Sequence, residues 1–240
     1  MSRQENAATI INDTAIEVGL VPANDPYSTQ DEAFVQLRGL LNSAGRELVT
    51  MFDWEMLQRT LDITTAPGDP GSYDLPTDFD RMSNQTGWNI SSRLPIAGPL
   101  SPQMWAAATA LPVNPTTYIC FRLNANKLDL FPYDPVPEDM QLRWWYISRN
   151  WVADGNGETT DRANNGNDIV LYDPILMTKF LKVKFLSAKG YDIAVAAREF
   201  DMTFMSLTGQ DKGAQVLNAA GNQAYPYLGL GNIPWTGYGI

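Results

Sequence analysis

The chain has 240 residues, 44% of them apolar, which is enough for one large domain or two small ones with a sizeable core. It holds no histidine and a single cysteine, Cys120, which excludes Ser-His and Cys-His nucleophile pairs, an intrachain disulfide and a cysteine-type metal site. The formal net charge of −10 argues against a protein that coats nucleic acid, because phosphate binding needs clustered Lys and Arg, although a carboxylate-lined channel would repel a passing polyanion.

Met1–Ala8 is polar, without the apolar stretch of a secretory signal, and no apolar run reaches the length of a membrane span. The expectation is a protein made in a reducing cytoplasm, with no membrane partner. Ser2 and Glu5 have capping-box spacing, and Ile10, Ile11, Ala15, Ile16 and Val18 follow at mostly helical intervals up to Gly19. Thr29 and Glu32 repeat the signal, with Asp31 in the first turn. Phe34, Leu37, Leu41, Ala44, Leu48 and Phe52 then recur at spacings of three and four. That stripe predicts one long amphipathic helix of roughly 35 Å at about 1.5 Å per residue. Gly39 and Gly45 lie inside it, where they would let a neighbouring helix come close.

After Trp54 the pattern changes to turns and short strands. Pro67, Gly68, Pro70 and Gly71 break helix. Thr117–Leu123 and Lys127–Phe131 read as strands joined by a hairpin loop at Asn124-Ala125-Asn126, and Met140–Ser148 reads as a third strand. A short helix interrupts them, capped by Ser101, started by Pro102 and running from Trp105 to Leu111. Ala153–Asp168 is a loop rich in Gly, Asn and Asp. Helix returns at Asp173-Pro174, with Leu176, Phe180 and Val183 on one face until Gly190. Asp192 opens a fourth helix, with Ile193, Ala197, Phe200, Phe204 and Leu207 on one stripe, ending at Gly209. The expected fold is α+β: a four-helix bundle of two N-terminal and two C-terminal helices (1–56 and 169–212), a β-rich insertion lobe (57–168) and an extended C-terminal arm (213–240).

The arm, Gly213 to Ile240, has no charged residue, yet carries aromatic side chains among six glycines and two prolines. Disordered tails are usually charged and poor in aromatics. This one has the opposite makeup and reads as a segment to be covered by a partner surface. Tyr225, Tyr227, Leu228, Ile233, Trp235, Tyr238 and Ile240 are its candidate interface residues. A fold-back onto its own domain is the plainer alternative.

Few residues suggest chemistry. Asp154, Asn156, Asp161, Asn164, Asn165, Asn167 and Asp168 offer oxygen ligands, but not at EF-hand spacing, and a solvated turn loop is the expected state; no metal or cofactor is assigned. Asp78 with Asp80, and Glu138 with Asp139, are neighbouring carboxylates of the kind glycoside cleavage uses. They support an alternative reading as a glycan-cleaving or carbohydrate-binding tail protein. On a strand, Trp144 and Tyr146 face one side and Trp145 the other. One side is therefore core, and Trp145 and Trp151 are candidate subunit-interface residues. Lys179, Lys182, Lys184 and Lys189 form a local basic cluster, read as a solvated helix face.

The segment Ile10-Ile11-Asn12-Asp13-Thr14-Ala15-Ile16-Glu17-Val18-Gly19 resembles the opening helix of the phage head-to-tail adaptor (connector) family of short-tailed phages. That family includes the packaged-DNA stabilisation proteins and tail tubular protein A. The long second helix ending near Trp54 is similar to theirs, as is Tyr73-Asp74-Leu75-Pro76-Thr77-Asp78-Phe79-Asp80-Arg81-Met82. Trp105, Pro115, Tyr118, Leu128, Leu130, Pro132, Pro135 and Tyr146 resemble its inserted β lobe. The resemblance implies a structural virion protein at the head–tail junction, not an enzyme. It implies a homo-oligomeric ring, usually of twelve subunits, beneath the portal protein and above a tail nozzle or tail tube protein. Double-stranded DNA would pass through the ring without specific binding, and the C-terminal arm would contact the portal.

Overall fold

The computed structural model describes residues 4–83, 86–110, 119–131, 136 and 138–211. The expected interface residues Tyr225, Tyr227, Leu228, Ile233, Trp235, Tyr238 and Ile240 lie outside them, as do Leu111, Pro115, Thr117, Tyr118, Pro132 and Pro135.

The first helix starts later than the Ser2–Glu5 spacing predicts. Glu5–Asn6 forms a short strand, β1, and Asn6 caps α1 (Ala7–Glu17), its side-chain oxygen accepting the Thr9 N–H at 2.8 Å. Glu5 is drawn away from a capping role because it pairs with Val170. The second helix, α2 (Glu32–Met51), is capped by Asp31, which accepts the Ala33 N–H, and not by Thr29. Thr29 instead accepts the Asp31 N–H, two residues on, just before the helix. The predicted stripe is buried as expected at Phe34, Leu37, Leu41, Ala44 and Leu48, each large side chain worth roughly 1.5–3 kcal/mol against exposure.

A 3₁₀ turn at Glu55–Leu57 leads into β2 (Gln58–Thr64). The strands β3 (Ser72–Asp74), β4 (Phe79–Met82), β5 (Trp88–Asn89) and β6 (Leu94–Pro95) follow, then α3 (Pro102–Ala110). The predicted hairpin is present as β7 (Cys120–Asn124) and β8 (Lys127–Phe131), with a loop of two residues, Ala125 in the left-handed region at φ +52°. The predicted third strand is β9 (Gln141–Ser148). β9 pairs with β2 along its whole length on one edge and with β4 and β5 on the other. A second sheet runs β3-β8-β7.

The loop predicted over Ala153–Asp168 contains structure of its own. β10 (Val152–Ala153) pairs with β11 (Thr159–Thr160) and with β12 (Ile169–Val170), which pairs in turn with β1. Then come α4 (Pro174–Lys189) and α5 (Ala194–Asp211). Asp173 caps α4 and Gly190 ends it at φ +75°, as the sequence predicts. α5 does not stop at Gly209 but runs to Asp211.

Among the described residues the chain is a mixed α+β structure with five helices and several antiparallel sheets. Two apolar cores organise it. The larger gathers residues of α1, α2, α4 and α5 with Ile147, Trp151, Val152, Val170, Leu171 and Tyr172. The smaller is built on the strands, from Ile63, Ile96, Phe121, Leu128, Leu130, Leu142 and Trp144. β9 feeds both, Leu142 and Trp144 to one and Ile147 to the other.

Candidate functional site

α5 carries the site, and its position follows from the turn before it. Gly190 takes the left-handed conformation, its N–H reaching Ser187 O, while the Tyr191 N–H donates to Leu186 O. This closes the end of α4 and reverses the chain, so that α5 lies back along α4 with Phe180 stacked on Phe200 at 4.5 Å. The stripe Ala196, Phe200, Phe204 and Leu207 faces the body. Phe204 meets Trp54 at 5.9 Å and Phe52 at 6.5 Å, so the helix also touches the end of α2.

The opposite face is apolar too. Tyr191 is 65% exposed, Val195 72%, Met202 65% and Met205 72%. Tyr191 lies in the turn before the helix, and the steps of seven and three from Val195 to Met202 and Met205 keep those three on one helical stripe. Arg198 lies within the stripe, between Val195 and Met202, and the exposed Asp201 borders it beside Met205. A helix that is apolar on two opposed faces is normally covered on both. Sequence reading found the inner stripe at Phe200, Phe204 and Leu207, took Ala197 where Ala196 is the buried residue, and missed the outer stripe, although the same spacing would have revealed it.

The basic cluster of α4 is not the solvated face that the sequence suggests. Lys179 and Lys182 each reach both Glu17 of α1 and Glu199 of α5, at 2.9–3.4 Å. Lys184 pairs with Glu47 of α2, and Lys189 lies over the Phe185 ring. These lysines therefore tie three helices to α4. Burial pushes the Glu17 carboxyl up, but hydrogen bonds and charge from Lys179 and Lys182 outweigh it and hold the group below its ordinary value. Lys179 is raised, chiefly by its bond to Glu17, and Glu199 is lowered, chiefly by the bond from Lys182. Beside this network, an open groove of about 340 Å³ runs between α1 and α4, lined by the exposed Ile16 and Ile175.

The two tryptophans expected at a subunit surface part company. Trp145 is 40% exposed on the outer face of β9, beside the cross-strand pair Arg143–Asp62. Trp151 is fully buried, so it has no surface to offer a second subunit. Its indole stacks on Tyr172 and donates to Asp161 O, and it occupies the space that Gly45 leaves open. A Cβ on Gly45 would sit 2.2 Å from Trp151 Cε2. That glycine therefore admits an indole, not a neighbouring helix, while Gly39 has nothing within 4 Å of its Cβ position.

Asp78 and Asp80 are held in structural bonds, whereas Glu138 and Asp139 are both exposed in the turn before β9. Asp78 accepts the Tyr146 O–H at 3.0 Å, and burial together with this bond pushes the phenol up to about 12. Asp80 pairs with Arg81 at 2.6 Å. Arg81 also binds Asp53 and donates to Val49 O and Phe52 O, the last carbonyls of α2. This arginine fixes the β4 strand against the end of α2. Asp139 takes a left-handed backbone at φ +56°, and its N–H donates to Thr65 O. In the acidic–asparagine loop, Asp168 accepts the N–H groups of Asn164 and Asn165, and Asp154 those of Asn156 and Glu158. Among the described residues no group of three or more His, Cys, Asp or Glu could hold a metal ion, and no helix is long and apolar enough to cross a membrane.

Comparison with known proteins brings in one family. The model described as SU10 adaptor protein matches residues 5–223. No curated protein matches the chain.

Proposed function

The chain belongs to the SU10 adaptor protein family, a phage head-to-tail adaptor family, and from that premise we propose that it is one subunit of a ring that joins the portal of a filled capsid to the tail. Its structural role as a virion adaptor comes with the family. The finer reading is ours. Helices α1, α2, α4 and α5 act as a four-helix bundle (1–56 and 169–212), and the β-rich lobe (57–168) projects from it. The ring has twelve copies, with the portal protein above and a nozzle or tube protein of the tail below. It is assembled at the head–tail junction from chains made in the host cytoplasm. DNA crosses it without specific binding, consistent with a net charge of −10 that repels phosphate.

The observation that carries the reading, beside the family match, is the exposed apolar stripe of α5 together with the sequence that follows it. The outer stripe of α5 leads directly into Gly213–Ile240, a run without charge that includes Tyr225, Tyr227, Leu228, Ile233, Trp235, Tyr238 and Ile240. These residues form the portal contact. Trp145 lies on a second surface and contributes to the contact between neighbouring copies. Ordering such an arm costs about 2–5 kcal/mol, and a ring recovers it by repeating the contact in every subunit, so that weak sites act together.

Binding of the purified chain to portal rings tests this. The 240-residue chain should assemble on portals, and a chain lacking Gly213–Ile240 should fold but fail to bind. Unchanged affinity in the shortened chain would remove the arm from the contact.

A further inference from the structure

The outer face of α5 and the segment that follows it are both short of charge and rich in apolar groups. We propose that, in the chain before assembly, Gly213–Ile240 docks along the outer face of α5 and covers Tyr191, Val195, Met202 and Met205. The inference goes beyond the adaptor reading and does not depend on it, since it concerns the chain alone.

Three observations carry it. First, the surface has the wrong size for a second copy. A helix of 18 residues offers a strip about 27 Å long and about 10 Å wide, roughly 270 Å². A standard interface buries about 800 Å² per partner. A strip of that shape suits a single extended segment. Second, the place from which the segment starts is fixed at one end of the outer stripe. Asp211 accepts the Glu55 N–H at 2.9 Å, which holds the helix end against the 3₁₀ turn. Third, the reach is ample. The segment 213–240 spans up to about 90 Å when extended, several times the length of α5. Its Tyr225, Tyr227, Leu228, Leu230, Ile233 and Trp235 are suited to an exposed pair of methionines, because thioethers pack adaptably and favour aromatic rings.

Oxidative footprinting of the 240-residue chain tests the proposal. The work is done at concentrations where sedimentation shows single copies. Met104, 59% exposed on α3, serves as the open reference, and the buried Met177 as the check that the chain is folded. Met202 and Met205 are more exposed than Met104 on the body itself. Under a docked segment they should nevertheless form sulfoxide several-fold more slowly than Met104. In a chain carrying Tyr225→Ser, Tyr227→Ser and Trp235→Ser together, both should rise to the Met104 rate while Met177 stays protected. Oxidation of Met202 and Met205 at the Met104 rate in the unsubstituted chain would overturn the proposal. So would protection that survives the three substitutions, or that appears only as concentration rises, which would assign the face to a second copy. Any of these three results would leave portal binding, measured separately, as it stands.

Discussion

α2 and α5 are close in length, 20 and 18 residues, and both pack against α4. Their surfaces differ. α2 has one apolar stripe, buried from Phe34 to Val49; its exposed side carries Glu32, Arg46, Glu47 and Thr50, and its two exposed apolar residues, Val35 and Met51, stand near opposite ends and form no stripe. α5 buries Ala196 and Phe200 on one side and exposes Val195, Met202 and Met205 on the other. The packing of residues up to Asp211 buries nearly all the hydrophobic pattern of α2 and leaves half the pattern of α5 open. A helix of the first kind explains stability, whereas a helix of the second kind points to something that binds it.

If that contrast is right, substitutions around α2 should cost stability and substitutions on the outer face of α5 should not. The largest effect is expected from Trp151→Ala, which empties the space beside Gly45 and removes the stack on Tyr172. It should cost about 3–5 kcal/mol in urea unfolding. Gly45→Ala comes next. Its new methyl would overlap the indole ring, and overpacking of this kind costs about 1–3 kcal/mol. A melting series should show both losses, and a neutral Gly45→Ala would mean that the ring has room to move.

The ion network gives a smaller, pH-dependent effect. Glu17 and Glu199 are held below the ordinary 4.5 of a glutamate in the folded chain. A depressed carboxyl contributes its stabilisation in full above the unfolded value and loses it as pH falls through the folded one. Melting temperature should therefore drop on acidification below pH 4.5, and Glu17→Gln should flatten part of that drop while leaving other regions unchanged. The pairs are partly exposed, so the effect is modest. The smallest change in stability is expected for Met202→Ser with Met205→Ser in a chain lacking Gly213–Ile240, where nothing is proposed to cover them, within about 0.5 kcal/mol. A large loss there would show that the outer face of α5 is already part of the fold.

Much of this was legible where the signals are local. The stripe of α2, the Asp173-Pro174 start and Gly190 end of α4, the β7–β8 hairpin and the alternation of Trp144, Trp145 and Tyr146 depend on neighbours within a few residues, and the structure has them all. What the sequence hid depends on distant partners. Asn6 takes the start of α1 because Glu5 is claimed by Val170. Trp151 reads as a surface aromatic until Gly45 is seen to make room for its ring. The lysines of α4 read as a solvated face because Glu17, Glu47 and Glu199 come from three other helices. The outer stripe of α5 was hidden differently. Its spacing is plain, but the inner stripe is sufficient to explain a helix, and nothing in the sequence alone says which of two apolar faces the chain buries.

Electron microscopy of the chain bound to portal rings tests the central claim most directly. The account predicts a ring of copies in which Tyr225–Ile240 of every subunit are covered by the portal. A ring, or a mature particle, in which those residues touch no other molecule would contradict it.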